Sequence, residues 1–251
     1  MHPPTKPLRL AILEADTPAP KTHARYGGYL GVFRHLFERA VAPAPLSAVL
    51  TLTGHDVVRD PGGAYPSLDD VDAVLVTGSK HDAFADDPWI TALVEYVRRA
   101  LAHGRVRVVG VCFGHQIVAR AMGALVGRSD RGWEVSVTET RLTEKGRELF
   151  GRETLQIQQM HRDQAFSVPA GAELLASTNK CMNHGFIIPK RVITVQGHPE
   201  FTEDIMRELL ETRHASGLFT DELYESGVAR NGDHHDGVLM AQVFIKFLQE
   251  Q

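Results

Sequence analysis

The residues best placed to do chemistry are Cys112 and, further along the chain, His198 and Glu200. Cys112 lies in the string Val108-Val109-Gly110-Val111-Cys112-Phe113-Gly114-His115-Gln116. A β-branched run stops at a cysteine with a glycine close on either side, then opens into a helical pattern over residues 117–122. The reading is strand, sharp turn, helix, which is the layout of a nucleophile elbow. The glycines are needed because the turn packs backbone against backbone and holds its central residue in a strained conformation. Unpaired N–H groups and the positive dipole end of the following helix stabilise negative charge on the sulfur. Gln196-Gly197-His198-Pro199-Glu200 supplies the other half: an imidazole to act as base, and a carboxylate two residues on to hold and polarise it. The chemistry implied is covalent acyl transfer through a thiolate.

Duller readings have to be weighed against this one. A lone cysteine is ordinarily a small buried hydrophobe, which is the reading adopted for Cys181. Strand-turn-helix glycines also occur in phosphate loops and in plain packing turns, so the elbow alone decides little. The second motif changes the balance, because it follows another β-branched run at 192–195. In a parallel α/β sheet the carboxyl ends of neighbouring strands converge on one edge, where a cysteine and a histidine from distant sequence positions can meet.

The elements that would position these residues can be traced along the chain. Residues 1–7 carry three prolines and predict an extended leader, with one domain over residues 8–251. Strands are expected over 8–13, 48–52, 73–76 and 106–111. Helices are expected over 31–41 and 87–102, the second opened by Asp87 as cap and Pro88 in the first turn, and after Cys112 as far as the glycines at 123–127. Alternation over 133–141 predicts an antiparallel strand with one exposed face. Further strands are expected over 155–160, 174–177, 182–188 and 192–195, then amphipathic helices over 205–214 and 237–248. The fold class is α/β: a mostly parallel central sheet with helices on both faces and an antiparallel extension.

Composition narrows the classes. Lys and Arg total 27 against 31 Asp and Glu, a net charge of −4 with no basic clusters, which argues against nucleic acid as a partner. No window approaches the apolar length of a membrane span. Two cysteines make no disulfide framework, and no secretory segment is visible, so a reducing cytoplasm is the expected location.

With these motifs in hand, the chain resembles the class I glutamine amidotransferases, of the kind fused to or partnered with GMP synthetase, and their stand-alone γ-glutamyl peptidase-like members. The resemblance runs from the first strand to the His-Pro-Glu segment and implies the flavodoxin-like fold of that family. It places nucleophile, base and orienting carboxylate on Cys112, His198 and Glu200. Gln116 matches a position against the bound glutamine, and Met160-His161-Arg162-Asp163 resembles the segment that grips the substrate's α-amino and α-carboxylate groups. Arg128 and Glu134 resemble the stretch after the elbow helix. The family's Gly-Gly-Pro oxyanion loop is replaced by Val76-Thr77-Gly78-Ser79-Lys80, so backbone N–H groups of Gly78 or Ser79, with that of Phe113, are the expected oxyanion donors. Arg162 stands where a small residue is usual, and Gly197 where an aromatic is usual. Both changes are expected at the pocket mouth and point to a leaving group other than ammonia.

The resemblance implies that the Cys112 thiolate attacks a γ-glutamyl amide, that a γ-glutamyl thioester forms, and that water activated by His198 releases glutamate. No cofactor and no metal are expected. His234-His235-Asp236 reads as a helix start capped by Asp236, since adjacent histidines diverge and no matching ligand spacing accompanies them. Gly27-Gly28 reads as a turn into the first helix, not a phosphate loop, and His115 and His161 as packing or pocket-wall residues. Two enzyme readings survive: a free-standing γ-glutamyl hydrolase or peptidase of small-molecule conjugates, which is preferred, and a glutaminase subunit delivering ammonia to a separate synthase partner. A catalytically idle binding module is the third.

Overall fold

The computed structural model describes residues 6–60 and 62–250, so most of the leader expected over 1–7 lies outside the described residues. Strands and helices alternate through the first half: β1 (Leu8–Glu14), α1 (Pro20–Tyr26), α2 (Tyr29–Val41), β2 (Leu50–Asp56), β3 (Ala73–Val76), α3 (Pro88–His103), β4 (Arg107–Val111) and α4 (Phe113–Ala121). Then come β5 (Val126–Arg128), β6 (Glu134–Leu142), α5 (Glu144–Phe150), β7 (Thr154–His161), β8 (Asp163–Ala165), β9 (Glu173–Leu174), β10 (Ala176–Ser177), β11 (Phe186–Ile188) and β12 (Val192–Val195). The chain ends in three helices, α6 (Glu203–Ala215), α7 (Asp221–Asn231) and α8 (Gly237–Gln249).

The central sheet runs β2-β1-β3-β4-β12-β11-β9. Its first five strands are mutually parallel, and β11 and β9 each pair antiparallel. Strand residues alternate between two cores, as the pleat requires. Leu10 and Ile12 of β1, Val109 of β4 and Ile193 of β12 face α2 and α8. Ala11 and Leu13, Val74, Val108 and Val192 face α3 and α4. Each fully buried Leu or Phe contributes about 1.5–3 kcal/mol. The surface ion pairs, such as Arg25–Asp204 with both partners more than half exposed, contribute about 0–1 kcal/mol each. The two apolar layers therefore hold the sheet in its register.

A second, antiparallel sheet of β10, β6 and β7 and a short β5–β8 ribbon extend beyond the central sheet. The strand expected over 133–141 is β6, but the first four of its residues are buried instead of showing one wet face. The reason is α7, which packs on it. Among the described residues no helix is long and apolar enough to cross a membrane.

Several local expectations need correcting. Asp87 and Asp236 do occupy the residues before α3 and α8, yet neither carboxylate caps its helix. Asp236 instead accepts from Gln156 N at 2.8 Å and donates its own N–H to Gln156 O at 2.7 Å, tying the start of α8 to β7. Gly27 and Gly28 join two helices rather than opening one: Gly27, at φ 78°, ends α1, and Gly28 precedes α2. Glu14 Oε2 accepts from Leu30 N at 3.0 Å, and a Cβ on Gly28 would stand 2.8 Å from the same oxygen.

Candidate active site

The turn between β4 and α4 is built by steric necessity. Cys112 adopts φ 53°, ψ −106°, a conformation that a residue with a side chain rarely takes. A Cβ on Gly110 would lie 2.7 Å from Gly114 O, and one on Gly114 only 2.1 Å from Val76 O. A side chain on Gly110 would push the first turn of α4 off β4, and one on Gly114 would push the elbow off β3. Cys112 sits just ahead of the first turn of α4, where helical N–H groups lack partners within the helix.

β12 lies beside β4 in parallel register, Val195 opposite Val111, and Cys112 N donates to Val195 O at 2.9 Å. His198 therefore leaves the sheet next to the elbow. Its own N–H donates to Gln158 O of β7 at 2.8 Å, which fixes the backbone. The ring is held twice more: Nδ1 is 2.8 Å from Glu200 Oε1, and Phe201 stacks on it at 3.9 Å and 6°. Gly78, at the end of β3, reports how close the two motifs come. A Cβ there would stand 2.7 Å from His198 Cε1 and 3.7 Å from Cys112 Cβ.

Burial alone would lower the His198 imidazole, but the negative charges of Cys112 and Glu200 reverse this and raise it to about 10. The ring thus lies between a sulfur and a buried carboxylate, both of which favour its protonated form, and among the described residues the second carboxylate oxygen, Oε2, has no protein partner.

Cys112 and His198 open into a cavity of about 520 Å³. Ser79, Phe113, Gln116, Met160, His161 and Arg162 all line it, whereas Gly78 meets the site through its contact with the His198 ring. The Gln116 amide donates to Asp163 O at 2.9 Å and to Gln196 Oε1 at 3.0 Å, so its position is fixed without a ligand. Arg128 pairs with Asp82 at 2.6 Å and Asp163 at 2.9 Å on the same wall. Gly197 is not at the mouth. It packs on β7, where a Cβ would meet Gln159 Nε2 at 2.9 Å and Ile157 at 3.0 Å, which explains why an aromatic side chain is missing. Arg162 does line the cavity.

His115 and His161 separate. His115 is wholly buried, its Nδ1 2.9 Å from Thr194 Oγ1, and burial holds it down at about 3. It packs and does not face the cavity. His161 lies in the cavity wall with Nδ1 3.1 Å from Asp163 O and Nε2 3.2 Å from Glu134 Oε2. His184 Nε2 reaches the same oxygen at 2.9 Å. Burial works against the Glu134 carboxylate, yet the two imidazoles hold it well below the usual carboxylate range. Among the described residues, Glu134, His161 and His184 are the group with metal-ligand spacing, their ligand atoms lying within 4.8 Å of one another. His184 hydrogen-bonds Glu134 Oε2, whereas His161 Nε2 approaches it without hydrogen-bond geometry. No spacing in the sequence marks the trio, because β6, β7 and the loop before β11 bring it together. His234 and His235 precede the start of α8, where His235 Nδ1 accepts from Gly237 N at 3.2 Å.

The cavity also takes in Lys80, from the stretch quoted for the oxyanion loop, and residues that no motif pointed to: Asp16, Tyr29, Trp133, Phe201 and Arg213. Phe201 was within reach of a sequence reading, standing directly after Glu200. Trp133, just ahead of β6, and Arg213, in the last turn of α6, meet only in the folded chain, the Arg213 Cζ lying 5.0 Å from the Trp133 ring centre.

The sequence matches the model of the family described as "Glutamine amidotransferase class-I" over residues 63–214. A glutamine amidotransferase-like protein of Schizosaccharomyces pombe is 36% identical over 245 residues, covering 96% of this chain and 98% of its own. Gamma-glutamyl peptidase 3 of Arabidopsis thaliana is 33% identical over 213 residues, covering 81% of each chain. Among solved structures, a glutamine amidotransferase from Thermotoga maritima superposes with a TM-score of 0.70 over 97% of this chain and 99% of that one. At 17% identity that likeness speaks for the fold alone.

Proposed function

The chain belongs to the class I glutamine amidotransferase family, and on that premise we propose that it is a free-standing cysteine hydrolase of γ-glutamyl amide bonds. The observation that carries this reading is His198, gripped by Glu200 at 2.8 Å, stacked on Phe201, and raised to about 10 by the charges of Cys112 and Glu200. Its similarity to a protein named gamma-glutamyl peptidase favours a substrate other than free glutamine.

The proposed reaction starts from the Cys112 thiolate and the His198 imidazolium. Sulfur attacks the δ-carbonyl carbon, and the C=O pair moves onto oxygen, which the N–H of Phe113 and that of Gly78 or Ser79 stabilise. Collapse of this intermediate breaks the C–N bond while His198 gives its proton to the leaving amine. What remains is a γ-glutamyl thioester, which carries no charge on sulfur. The Cys112 charge is the largest influence raising His198, so its loss lowers the imidazole and turns it from acid to base. His198 then takes a proton from water, hydroxide adds to the thioester, and glutamate leaves as thiolate and imidazolium are restored. Residues 8–251 are proposed to act as one catalytic unit, and a reducing cytoplasm would keep its thiol free.

The test is incubation of the purified protein alone with glutamine, a γ-glutamyl dipeptide and a γ-glutamyl anilide, with glutamate release as readout. Turnover of the dipeptide and anilide without added protein is expected. Turnover of glutamine alone, and only with a synthase present, would assign the chain to ammonia delivery instead.

Gly78 offers a second check on the same geometry. In Gly78→Ala the new methyl must stand where His198 Cε1 now approaches to 2.7 Å. The ring cannot retreat, since Phe201 and Glu200 hold it. A displacement of even a fraction of an ångström from the reacting atoms lowers kcat/KM by about 10- to 100-fold, with the thermal midpoint little changed. Steady-state kinetics beside a melting curve reads both, and an unaltered rate would show that the ring has room.

A further inference from the structure

We propose that Arg213 and Arg162, brought together on the indole of Trp133, form a subsite for a carboxylate carried by the leaving group, so that preferred substrates are γ-glutamyl amino acids or peptides with a free C-terminal carboxylate. This deepens the hydrolase reading above and rests on it. The Cζ atoms of Arg213 and Arg162 lie 5.0 and 5.2 Å from the Trp133 ring centre, and both arginines line the cavity that contains Cys112. Two like charges share one aromatic surface, a placement that is unfavourable unless an anion joins them.

The other cations of this cavity are neutralised. Arg128 is paired with Asp82 and Asp163, and Lys80 with Asp16 at 2.6 Å. Among the described residues, neither Arg162 nor Arg213 has a carboxylate partner, and Arg213 Nη1 is buried with no acceptor at all. A buried guanidinium N–H without an acceptor is a costly thing to keep. Burial lowers Arg213 from its ordinary value, with Arg162 adding to the effect, and the negative charge of Cys112 opposes it. A carboxylate entering between the two arginines would satisfy the orphaned donor and relieve the repulsion at once.

The side of the cavity identifies which carboxylate this is. His198 must protonate the departing amine, so the leaving group lies beside His198 and Phe201. Arg213, in the last turn of α6, lines the same cavity as His198 and Phe201 and lies within electrostatic reach of Cys112. Elsewhere in the lining, Gln116 and the Arg128–Asp163 pair present charges of both signs and suit the zwitterionic head of the γ-glutamyl group.

The test compares a γ-glutamyl dipeptide with its C-terminal carboxamide, by kcat/KM in the active protein and by calorimetric affinity in Cys112→Ala. The carboxylate form is expected to be favoured about tenfold or more in both, the scale of a charge-assisted hydrogen bond, and less so at high salt. Arg213→Gln is expected to collapse that ratio towards one and Arg213→Lys to restore part of it. Because Arg213 also packs on Trp133 and Phe219, Arg162→Gln serves as a second variant, with melting curves confirming the fold. Equal values for the two substrates in the unmodified protein, or a loss in the variants that falls equally on both, would overturn the subsite. Selective carboxylate binding without turnover would contradict the hydrolase and leave the subsite standing. Turnover of both forms at equal rates would do the reverse.

Discussion

Cys112→Ala is expected to abolish γ-glutamyl hydrolysis, lowering kcat by about four to six orders of magnitude, the scale seen when a nucleophile is removed from a covalent hydrolase. The loss should be confined to chemistry. Alanine carries the same Cβ as cysteine, so the strained turn at φ 53° is no worse for it. Folding stability should therefore move by no more than about 1 kcal/mol. The other cysteine offers no substitute: Cys181 is buried, and burial pushes its thiol up to about 12. Removing the sulfur also removes the largest influence that raises His198, so the imidazole should titrate at lower pH in the variant, which the NMR signal of its ring carbon would report. Glutamate release measured across a long time course checks the first part. Persistent activity above background in Cys112→Ala would move the nucleophile elsewhere.

Glu200→Gln is expected to leave the shape of the site intact and lower kcat by about 10³- to 10⁴-fold, as happens when a neutral amide replaces the carboxylate that orients a catalytic imidazole. Glu200 is buried and meets Nδ1 at 2.8 Å. An amide can offer its oxygen to the same N–H, but without charge it supports the imidazolium far less. The sign of the pH effect follows. His198 is raised by this carboxylate, so its value falls in the variant, and the alkaline limb of the kcat/KM profile should move to lower pH. Stability follows the same linkage: the gain from holding His198 charged is present below its ordinary value near 6.5 and is lost as pH rises through about 10. Glu200→Gln should lose part of that gain below pH 6.5. Denaturant midpoints at several pH values would measure it, and an unchanged alkaline limb would mean that Glu200 does not act through His198.

Much of this was legible in the sequence because short-range rules governed it. Val108–Val111 and Val192–Val195 are buried on both faces, and a continuous β-branched run is what such strands require. Gly110 and Gly114 could be tied to an elbow because no other residue fits there. α1 was illegible for a definite reason. It opens at Pro20 after Ala19, with no side-chain cap of its own, and the carboxylate of Glu208 in α6 accepts from Lys21 N at 2.6 Å and Thr22 N at 2.8 Å. Its cap lies in another part of the chain. α7 has a local cap, Thr220 accepting from Leu223 N at 3.3 Å, but buries only Gly227 and Asn231 fully, so it shows little apolar stripe. Asp236 looked like a cap and turned out to be a clasp on β7.

The cavity wall divides in the same way. Gln116 and Met160–Arg162 could be picked out because they stand in contiguous segments near a motif. The Glu134–His161–His184 cluster and the Trp133, Arg162 and Arg213 grouping could not, since each joins residues from separate strands, helices and loops. Specificity, more than the reacting groups, is written in such long-range contacts.

The most direct measurement is a rapid-quench experiment with a γ-glutamyl substrate, followed by intact-mass and peptide-level mass spectrometry. The expected result is one γ-glutamyl group attached to the peptide containing Cys112, forming at the rate of the first amine release and absent from Cys112→Ala. Steady turnover with no acylated cysteine at any time point, or with the label on Cys181, would contradict it.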